Sequence, residues 1–534
     1  MAAPRRTVTQ PIVDPSRLPP QFPLQMHFTS ILFISIASAQ KSLPIAWGFA
    51  TSGLQIEGAY NADGKGLSVW DKWYLAPSRS SNPNHLVAND HYHKMKTDVA
   101  FLGQLGATAY RFSVSWTRIF PNCNGKVNEA GLQFYSDMID EILKNGALPV
   151  LTMYHWDTPQ ACEDQYGSWL SPQIVADFTN YADVLFARFG DRVQYYLTMN
   201  EPSAECGWGY QTDSFWPPGA NKGPSALYTC QHWTNLAHGT VVKLARTKYA
   251  SKNFKFGMPL IVAGGIPFDP ASAADQAAAD RMMEFATQPN WGPLITGDYP
   301  DILKNDRSVG PNLLVYTSAQ KEIMKGTLDF AALNYYSASY VQNAPGASPG
   351  EFATPGTKNG QPLGPVSGTS WQTVYGPGLR SALKFVAKTF PLDIMVTECG
   401  VSVPGEAQMT PQQVHDDTFR LNFWVSHLQA LEDAILIDNV PVKAFLAWSL
   451  FDNFEWITYD QRFGLIAIDY KSPDLTRTVK NSTSYLSSYF STSKSPYPLP
   501  KKGALSGPGS ENNSAFATDL FGLLAVFGIV AISM

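Results

Sequence analysis

Short apolar segments recur along the chain between about residues 41 and 490, and longer amphipathic segments separate them. Each short segment is apolar throughout, as expected of a parallel strand that is buried on both faces. Eight strand–helix alternations without a break in composition predict an α/β fold, a single (β/α)8 TIM barrel with extended βα loops. The predicted strands are Ala46–Ala50, Ala109–Val114, Pro149–Tyr154, Tyr195–Met199, Pro259–Ala263, Phe330–Leu333, Ile394–Thr397 and Val442–Ala447.

The segments between these strands have helical or loop character. Asn343–Ser370 is rich in Gly, Pro, Ser and Thr, which predicts a long loop after the sixth strand. Of the 534 residues 44% are hydrophobic and 16% charged, which suits the large core of one barrel with insertions. The formal net charge of −5 provides no basic surface, so no nucleic-acid partner is expected. Apolar residues recur at helical spacing in Tyr92–Leu105, Gly131–Asn145, Ser171–Phe189 and Thr410–Asp438.

Two glutamates follow apolar, β-branched runs. Glu201 lies in T-M-N-E-P (Thr198–Pro202) and Glu398 lies in V-T-E-C-G (Val396–Gly400), about two hundred residues later. A closed parallel barrel brings the ends of all its strands to one face, so these side chains can share a site. Hydrolysis of a glycosidic bond needs two carboxyl groups, one to protonate the leaving oxygen and one to attack the anomeric carbon or activate water. Either motif alone is weak, but the two together predict this chemistry.

Further motifs surround these two in a definite order. They are W-G-F-A-T-S-G-L-Q-I-E-G-A, D-G-K-G-L-S-V-W-D, D-H-Y-H-K-M-K-T-D-V, Y-R-F-S-V-S-W-T-R-I-F-P, Y-H-W-D-T-P-Q, N-E-P, L-N-Y-Y, T-E-C-G, W-S-L-F-D-N-F-E-W and R-F-G-L. With these blocks the chain resembles glycoside hydrolase family 1, the retaining β-glucosidase-type enzymes, over about 450 residues.

The resemblance implies a role for each matching residue. Glu201 corresponds to the acid/base and Glu398 to the nucleophile of a double displacement, and no cofactor or metal is implied. Arg111 is expected to keep the nucleophile ionised, and Tyr336 is expected to donate a hydrogen bond to it. Asn200 is expected to bind the 2-hydroxyl of the sugar. The expected substrate-binding residues are Gln55, His155, Trp156, Asn200, Asn334, Trp448, Glu455 and Trp456, with Trp371 as a candidate for contact with the departing group.

The expected substrates are β-glucosides or short β-linked oligosaccharides. Glu455 and Trp456 suit an unphosphorylated sugar, because a carboxylate would repel a 6-phosphate. The glutamate at position 201 favours an O-glycosidase over a thioglucosidase. Another retaining β-glycosidase of the same fold (a galactosidase, fucosidase or mannosidase) or a transglycosidase is the alternative. A surface carbohydrate-binding protein without turnover is the alternative from another class.

The chain departs from the family pattern at three places near the expected site. Cys399 stands where Asn is usual after the nucleophile, and Ser203-Ala204-Glu205 replaces the usual apolar continuation of N-E-P. The stretch E-W-I-T-Y-D-Q-R-F-G is one residue shorter than usual, which predicts a reshaped loop after Glu455. These departures are expected to affect substrate preference more than the reaction.

Sequence features at both ends of the chain predict that the protein is exported from the cytosol. Residues 1–39 are interpreted as an extension and a signal peptide, with Met26 as a possible start and cleavage after Ala39. The catalytic barrel then spans residues 40–490 and a linker spans 491–511. Residues 512–534, with the apolar tail Leu520–Met534, resemble a glycolipid (GPI)-anchor signal. The alternatives are a cytosolic protein with a chance apolar run and a tail-anchored span.

The predicted location is therefore extracellular, at the cell surface, as in a secreted fungal member of the family. Asn481 and Asn512 begin possible glycosylation sequons. Among the five cysteines, Cys206 and Cys230 flank a Gly/Pro-rich loop and are predicted to form a disulfide. No C-x-x-C spacing is present, so no zinc site is expected. The oligomeric state stays open.

Overall fold

A parallel sheet that closes on itself forms the centre of the fold. The computed structural model describes residues 43–79, 81–212 and 216–492. Within them lie strands β1–β14: Ala46–Ala50, Ala109–Ser113, Leu148–Tyr154, Tyr195–Met199, Lys255–Gly257, Pro259–Ile261, Gly264–Pro267, Phe330–Tyr335, Ala338–Asn343, Phe352–Ala353, Asp393–Cys399, Val442–Trp448, Ile466–Ile468 and Arg477–Val479. Nine of the strands form one parallel sheet in the order β5-β4-β3-β2-β1-β12-β11-β8-β6.

The barrel closes through the fifth predicted strand. The predicted strand Pro259–Ala263 is observed as β6, which pairs with β8, and β5 directly before it pairs with β4. Only Met258 separates β5 from β6, so the two edges of the sheet are consecutive in the chain. The prediction of a (β/α)8 barrel is therefore confirmed. Two short strands, β5 and β6, together occupy the fifth strand position.

Helices return the chain between barrel strands on the outside. In the described residues α1–α17 are Gly53–Ile56, Val69–Leu75, His91–Gln104, Trp116–Ile119, Glu129–Lys144, Gln160–Tyr166, Gln173–Phe189, Pro202–Glu205, Pro224–Lys248, Ala273–Thr287, Trp291–Thr296, Asp301–Lys304, Ser318–Met324, Gly376–Thr389, Pro411–Asp416, Thr418–Leu436 and Asn481–Thr492. A π-helix, Cys206–Gln211, follows α8. The predicted helix Thr410–Asp438 is observed as α15 and α16, because Asp417 between them has a left-handed φ of 48°.

Two apolar layers stabilise the barrel. The larger layer lies between the strands and the outer helices, and it includes Trp47, Phe112 and Leu383. The smaller layer fills the barrel interior with small and branched side chains such as Ala46, Val150 and Leu446. The interior of the barrel is thus filled by side chains, and a ligand is expected beyond the ends of its strands.

Smaller elements extend the carboxyl-terminal face of the barrel. Strands β7, β9 and β10 form a second sheet, in which β10 lies within the predicted long loop after the sixth strand and β9 ends at the first residue of that loop. Strands β13 and β14 form an antiparallel pair after the last barrel strand. Helix α17 then packs against α16 and β1, and it continues to Thr492, two residues into the predicted linker.

The predicted signal peptide, the rest of the linker, the anchor signal and Asn512 lie outside the described residues. Asn481 is exposed at the start of α17. Among the described helices, none combines the length and the apolar character needed to cross a membrane.

Candidate active site

The predicted site residues gather at the carboxyl ends of the barrel strands. Gln55 lies on α1, just after β1, and Glu455 and Trp456 lie in the loop after β12. Trp371 lies in the loop before α14. The others lie at strand ends or directly after them: Arg111 on β2, His155 and Trp156 after β3, Asn200 and Glu201 after β4, Asn334 on β8 with Tyr336 after it, Glu398 on β11 and Trp448 on β12.

One amide side chain connects the regions of the two glutamates. Asn334 Nδ2 donates to Glu201 Oε1 at 2.6 Å. The backbone of Asn334 lies opposite Glu398 in the pairing of β8 with β11. The hydroxyl of Thr397 donates to Asn334 Oδ1 at 2.6 Å and fixes the orientation of the amide. Two carboxyl groups far apart in sequence are thereby placed at one site.

Glu398 is held by a cation and a phenol. Arg111 Nη1 donates to Glu398 Oε1 at 2.5 Å, and the Tyr336 hydroxyl donates to Oε2 at 2.5 Å. Arg111 is fully buried and also donates from Nε to Thr152 at 2.9 Å. Its Nη2 donates to Asn200 Oδ1 at 2.6 Å. These two contacts therefore hold the guanidinium in position against the carboxylate.

The two carboxyl groups differ in their charged partners. Burial, followed by the charge of Glu398, raises the pKa of Glu201 to about 8. Burial also raises the pKa of Glu398, but Arg111 and Tyr336 oppose that increase. Within the described part of the chain, Glu201 forms no ion pair, and its second oxygen, Oε2, has no hydrogen-bond partner. Near neutral pH the proton therefore resides on Glu201 and the negative charge on Glu398.

His155 presents a hydrogen-bond donor to the site. Asn200 Oδ1 accepts from Arg111 and Asn334, so its Nδ2 is the atom that donates to His155 Nε2 at 3.1 Å. Burial, then the charge of Arg111, lowers the pKa of His155 well below its usual value. The ring is thus neutral with its proton on Nδ1, which has no partner among the described residues. This N–H is available to a sugar hydroxyl.

Gln55 has less free hydrogen-bonding capacity than its predicted role suggests. Its Nε2 donates to Asn453 Oδ1 and to the carbonyl of Phe454, both at 3.0 Å. Its Oε1 accepts from Ser52 at 2.7 Å. Both N–H hydrogens are therefore occupied, and a remaining lone pair of Oε1 is what Gln55 offers to a sugar.

Glu455 is the third carboxyl group of the site. Its Oε1 accepts from the indole N–H of Trp448 at 3.3 Å. Burial raises the pKa of Glu455 to about 8, and the bond from Trp448 only partly opposes this increase. A tight turn follows, in which the N–H of Glu455 donates to the carbonyl of Thr458 at 2.9 Å. The chain thus turns back directly after the carboxyl group.

Aromatic rings line the same region. The His155 ring lies 5.9 Å from that of Trp448 and 5.8 Å from that of Trp456. Trp156 packs behind Trp456 at 4.4 Å, and its N–H is used internally by the carbonyl of Asn200 at 2.8 Å. Trp371 is 57% exposed and its ring lies 5.8 Å from that of Tyr336. Trp371 is therefore placed at the rim, with much of its side chain exposed to solvent.

Three residues of this site have a backbone conformation that L-residues rarely adopt. The φ angles are 68° at Trp156, 43° at Glu201 and 64° at Trp456. Such conformations persist where the surrounding structure enforces them, and they concentrate at functional sites. At Glu201 the backbone N–H donates to the carbonyl of Pro259 on β6 at 2.9 Å, which anchors this turn to the neighbouring strand.

Two residues outside the predicted set support the site. Thr152 holds Arg111 and Thr397 holds Asn334, as described above. The signal in the sequence is a threonine within an otherwise apolar strand. The atypical Cys399 is buried and belongs to the layer between strands and helices. It therefore changes the packing behind the site and does not reach into it.

The structure contains two disulfides. Cys206 is joined to Cys230, the pair chosen from the sequence, across 24 residues. Cys123 is joined to Cys162 across 39 residues, a pair that was not predicted from the sequence. Cys399 is the free cysteine.

Comparison with known proteins gives consistent matches over the barrel. The family model described as glycosyl hydrolase family 1 matches residues 40–495. Beta-glucosidase 13 of Arabidopsis thaliana is 38% identical over 448 residues, which cover 79% of this chain and 87% of the relative. The crystal structure of a beta-glucosidase from the fungus Humicola insolens in complex with glucose aligns with a TM-score of 0.80 at 34% identity, covering 84% and 98% of the two chains. Beta-glucosidase 2 of Trichoderma reesei aligns with a TM-score of 0.79 at 33% identity, covering 84% and 98%.

Proposed function

The chain belongs to glycosyl hydrolase family 1, and on that premise we propose that it is a retaining β-glucosidase in which Glu398 attacks the sugar and Glu201 transfers the proton. It hydrolyses O-glycosidic bonds at terminal, nonreducing β-D-glucosyl residues. The unequal surroundings of the two glutamates carry this assignment. Glu398 is stabilised as an anion by Arg111 and Tyr336, whereas burial and the nearby negative charge keep Glu201 protonated.

The first step forms a covalent intermediate. The Glu398 carboxylate attacks the anomeric carbon while the bond from that carbon to the leaving oxygen breaks. The proton of Glu201 passes to that oxygen, so the leaving group departs as a neutral alcohol or phenol. The negative charge moves from Glu398 to Glu201, and the Arg111 guanidinium stays in place throughout.

The second step returns both groups to their starting states. Glu201, now ionised, removes a proton from water, and the resulting hydroxyl attacks the anomeric carbon. The ester bond to Glu398 breaks and β-glucose is released. Two inversions at the same carbon give net retention of configuration.

The surroundings of the pair suit a sugar. The unpaired Nδ1–H of His155, the free lone pair of Gln55 and the carboxyl group of Glu455 are each able to bond a hydroxyl. Asn200 keeps one amide hydrogen for the 2-hydroxyl after donating the other to His155. The indole of Trp448, held by Glu455, offers an apolar face for the sugar ring.

The direct test is hydrolysis of nitrophenyl β-glucoside by the full chain and by two variants. Glu398→Gln and Glu201→Gln should each lower kcat/KM by about 10³-fold or more, since each removes a group that acts in the transition state. Azide added to Glu398→Gly should restore turnover and give the α-glucosyl azide. Azide added to Glu201→Gly should give the β-glucosyl azide, because there it replaces water in the second step.

The outcomes separate the alternatives. Parallel assays on the β-galactoside, β-mannoside and β-fucoside rank the sugars, and a preference for one of these over glucoside would assign a different retaining glycosidase. Saturable glucose binding by folded protein, with no turnover of any of the four, would indicate a carbohydrate-binding protein. Azide products with the two configurations exchanged would reverse the roles of the two glutamates.

We also propose that the enzyme is exported and held at the cell surface by a GPI anchor, as in a secreted fungal member of the family. The apolar core and cleavage motif before Gln40 and the apolar tail Leu520–Met534 support this location. The two disulfides support it independently, because such bonds persist in oxidising compartments.

This location is testable in a eukaryotic host. Full-length protein should give surface activity that phosphatidylinositol-specific phospholipase C releases, and removal of Leu520–Met534 should send the activity to the medium. Membrane-bound activity that resists the phospholipase would indicate a tail-anchored span. Activity confined to the cytosol would contradict export.

A further inference from the structure

A buried carboxyl group that the proposed mechanism does not use lies one helical turn after Glu201. Glu205 is the last residue of α8 and is 3% exposed. Its backbone N–H donates to the carbonyl of Glu201 at 3.4 Å. Glu205 is also one of the three residues after N-E-P that depart from the family pattern. Neither the mechanism nor the family resemblance therefore accounts for this side chain.

The Glu205 side chain bonds to the strand that precedes the sugar-binding histidine. The Tyr154 hydroxyl donates to Glu205 Oε1, and Tyr154 is the last residue of β3, directly before His155. The Tyr154 oxygen accepts from Trp169 Nε1 at 3.0 Å, because an indole N–H only donates. Its one hydrogen is used by Glu205, so the Thr158 hydroxyl also donates to it, at 2.5 Å. The direction of each of these bonds is therefore fixed, and Glu205 supplies the acceptor.

This hydrogen bond connects the two segments that carry the acid/base and the sugar-binding imidazole. Glu201 lies directly before α8, and His155 lies directly after β3. The two segments are already joined once through the backbone, where the N–H of Asn200 donates to the carbonyl of Tyr154 at 2.9 Å. The bond between Glu205 and Tyr154 adds a side-chain connection one helical turn further along. The position of Glu201 relative to His155 therefore depends on both connections.

Glu205 has no cation beside it in the described part of the chain. The titratable groups that face it are Tyr154 on β3, Asp157 shortly after that strand, Glu163 on α6 and Tyr210 on the π-helix. Burial raises the pKa of Glu205 to about 8, although the bond from Tyr154 opposes this increase. The negative charges of Asp157 and Glu163 add to it. At neutral pH the group is therefore uncharged.

We propose that Glu205 is a positioning residue: as an uncharged acid it holds the end of β3 against α8, and so sets the position of Glu201 relative to His155. The proposal rests on the proposed function, in which these two residues act on the same sugar. An ionised Glu205 would be a buried charge without a cation, next to two further carboxyl groups. Loss of its proton therefore weakens the connection.

The first test measures hydrolysis of nitrophenyl β-glucoside by the full-length protein at a temperature at which circular dichroism shows every variant folded. Glu205→Leu removes the acceptor for Tyr154 and should lower kcat/KM by about tenfold. Glu205→Gln keeps an acceptor without a charge and should stay within about twofold of the wild type. Tyr154→Phe removes the same bond from the other side. The double variant with Glu205→Leu should lose no more than the larger of the two single losses.

The second test uses the melting temperature and does not depend on activity. Because burial raises the pKa of Glu205 in the folded state, the protein loses stability as the pH rises from about 4.5 to about 8. Glu205→Gln has no proton to lose. It should melt within about 2 °C of the wild type at about pH 5, and about 5 °C above it at about pH 9. The matched control is Glu129→Gln, an exposed glutamate on α5, whose difference from the wild type should be the same at both pH values.

The outcomes decide between positioning and packing. Equal kcat/KM in Glu205→Leu and Glu205→Gln, or wild-type kcat/KM in Tyr154→Phe, would overturn the proposal. A melting difference between Glu205→Gln and the wild type that does not change with pH would overturn the uncharged state, and so would a Glu205→Gln protein that fails to fold. A wild type that hydrolyses no β-glucoside would instead overturn the proposed function, and the melting prediction would still stand.

Discussion

At the scale of single residues, the site depends on how two buried carboxyl groups are kept different. Glu398 receives hydrogen bonds from Arg111 and Tyr336, whereas Glu201 receives one from the neutral amide of Asn334. Each donor to Glu398 favours its anion, so removing one should raise its pKa and weaken it as a nucleophile. The neighbouring pair Tyr335 and Tyr336 allows this to be tested with a matched control.

Tyr336→Phe should lower kcat/KM by about ten- to a hundredfold, the effect of losing one hydrogen bond to a charged group. The reaction requires ionised Glu398, so the raised pKa should move the acidic limb of the pH–rate profile to higher pH. Tyr335→Phe is the control, because the Tyr335 hydroxyl donates to the carbonyl of Tyr375 at 2.9 Å and not to Glu398. The prediction is wrong if the acidic limb stays in place in Tyr336→Phe or moves equally in both variants.

The proton on Glu201 gives a second prediction. The pKa of Glu201, about 8, is raised by burial and then by the charge of Glu398. Glu398→Gln removes that charge, so the pKa of Glu201 should fall while the effect of burial remains. Carboxyl ¹³C NMR of labelled protein measures this directly, with the wild type as reference. In the wild type, kcat/KM should decline as pH rises through about 8, because Glu201 then loses the proton that it donates. An unchanged Glu201 pKa in Glu398→Gln would show that burial alone sets it.

Sequence motifs were sufficient to predict where these side chains lie, because strand ends of a parallel barrel share one face. They did not predict which atoms remain free. The proton of His155 lies on Nδ1 because Asn200 donates to Nε2, and Arg111 on another strand sets the orientation of Asn200. Both N–H hydrogens of Gln55 are occupied because they bond to Asn453 and Phe454, which lie about four hundred residues away in the sequence. Such states are set by long-range partners that no local pattern contains.

At the scale of elements, the segment after Glu201 is held from two sides. Ser203 lies on α8, and Cys206 begins the π-helix that follows. The Cys206–Cys230 disulfide joins this π-helix to α9. The disulfide should therefore stabilise both the fold and the arrangement of these elements.

Replacing Cys206 and Cys230 by alanine should lower the free energy of unfolding by about 3 kcal/mol, as expected for a closed loop of this length. Denaturant unfolding of the oxidised proteins, monitored by circular dichroism, measures the difference. Thiol titration is the control: denatured, non-reduced wild type and double variant should each show one thiol, from Cys399. Three thiols in the wild type would mean that one disulfide is absent, and equal unfolding midpoints would contradict the stabilising role.

The type of each element was largely predictable from the sequence, but the points at which elements divide were not. Continuous apolar runs identified the barrel strands, but β5 and β6 divide one strand position between two neighbours, β4 and β8. That division depends on closure of the sheet, which is a tertiary property. Similarly, the apolar pattern continues through Thr410–Asp438, and the left-handed conformation of Asp417 interrupts it. Asp417 is held there by Arg420 at 2.6 Å.

At the scale of the whole molecule, a buried ion network ties the C-terminal segment to the loop that carries the sugar-binding carboxyl group. Lys480, directly before α17, contacts Glu406 at 2.5 Å and Asp452 at 2.8 Å. Asp452 Oδ1 also accepts from the N–H of Gly464 at 3.0 Å, and so closes the loop that contains Glu455. Lys480 joins the last helix to both segments, although some 70 residues separate it from Glu406.

Each charged group in this network compensates for the burial of the opposite charges beside it. Burial alone would raise the pKa of Glu406, but the charges of Arg420 and Lys480 lower it to about 2. Removal of Lys480 would leave two buried carboxylates, Glu406 and Asp452, with less compensation. Losing one partner of a buried ion pair costs about 3–5 kcal/mol, whereas an exposed pair contributes about 0–1 kcal/mol. Lys480 forms a buried ion pair, whereas Lys384 forms an exposed one.

Lys480→Met should therefore lower the free energy of unfolding by about 3–5 kcal/mol. It should also weaken glucose binding, since Asp452, which closes the loop that contains Glu455, loses the cation that holds it in place. Lys384→Met is the matched control: Lys384 lies 3.4 Å from Asp438 with its side chain 55% exposed, so the change should be about 1 kcal/mol or less. Chemical unfolding gives the two stabilities, and glucose inhibition of nitrophenyl β-glucoside hydrolysis gives the affinity. Equal losses in the two variants would show that burial of the network adds nothing. A destabilised Lys480→Met with unchanged inhibition by glucose would show that the network supports the fold without positioning the sugar-binding loop.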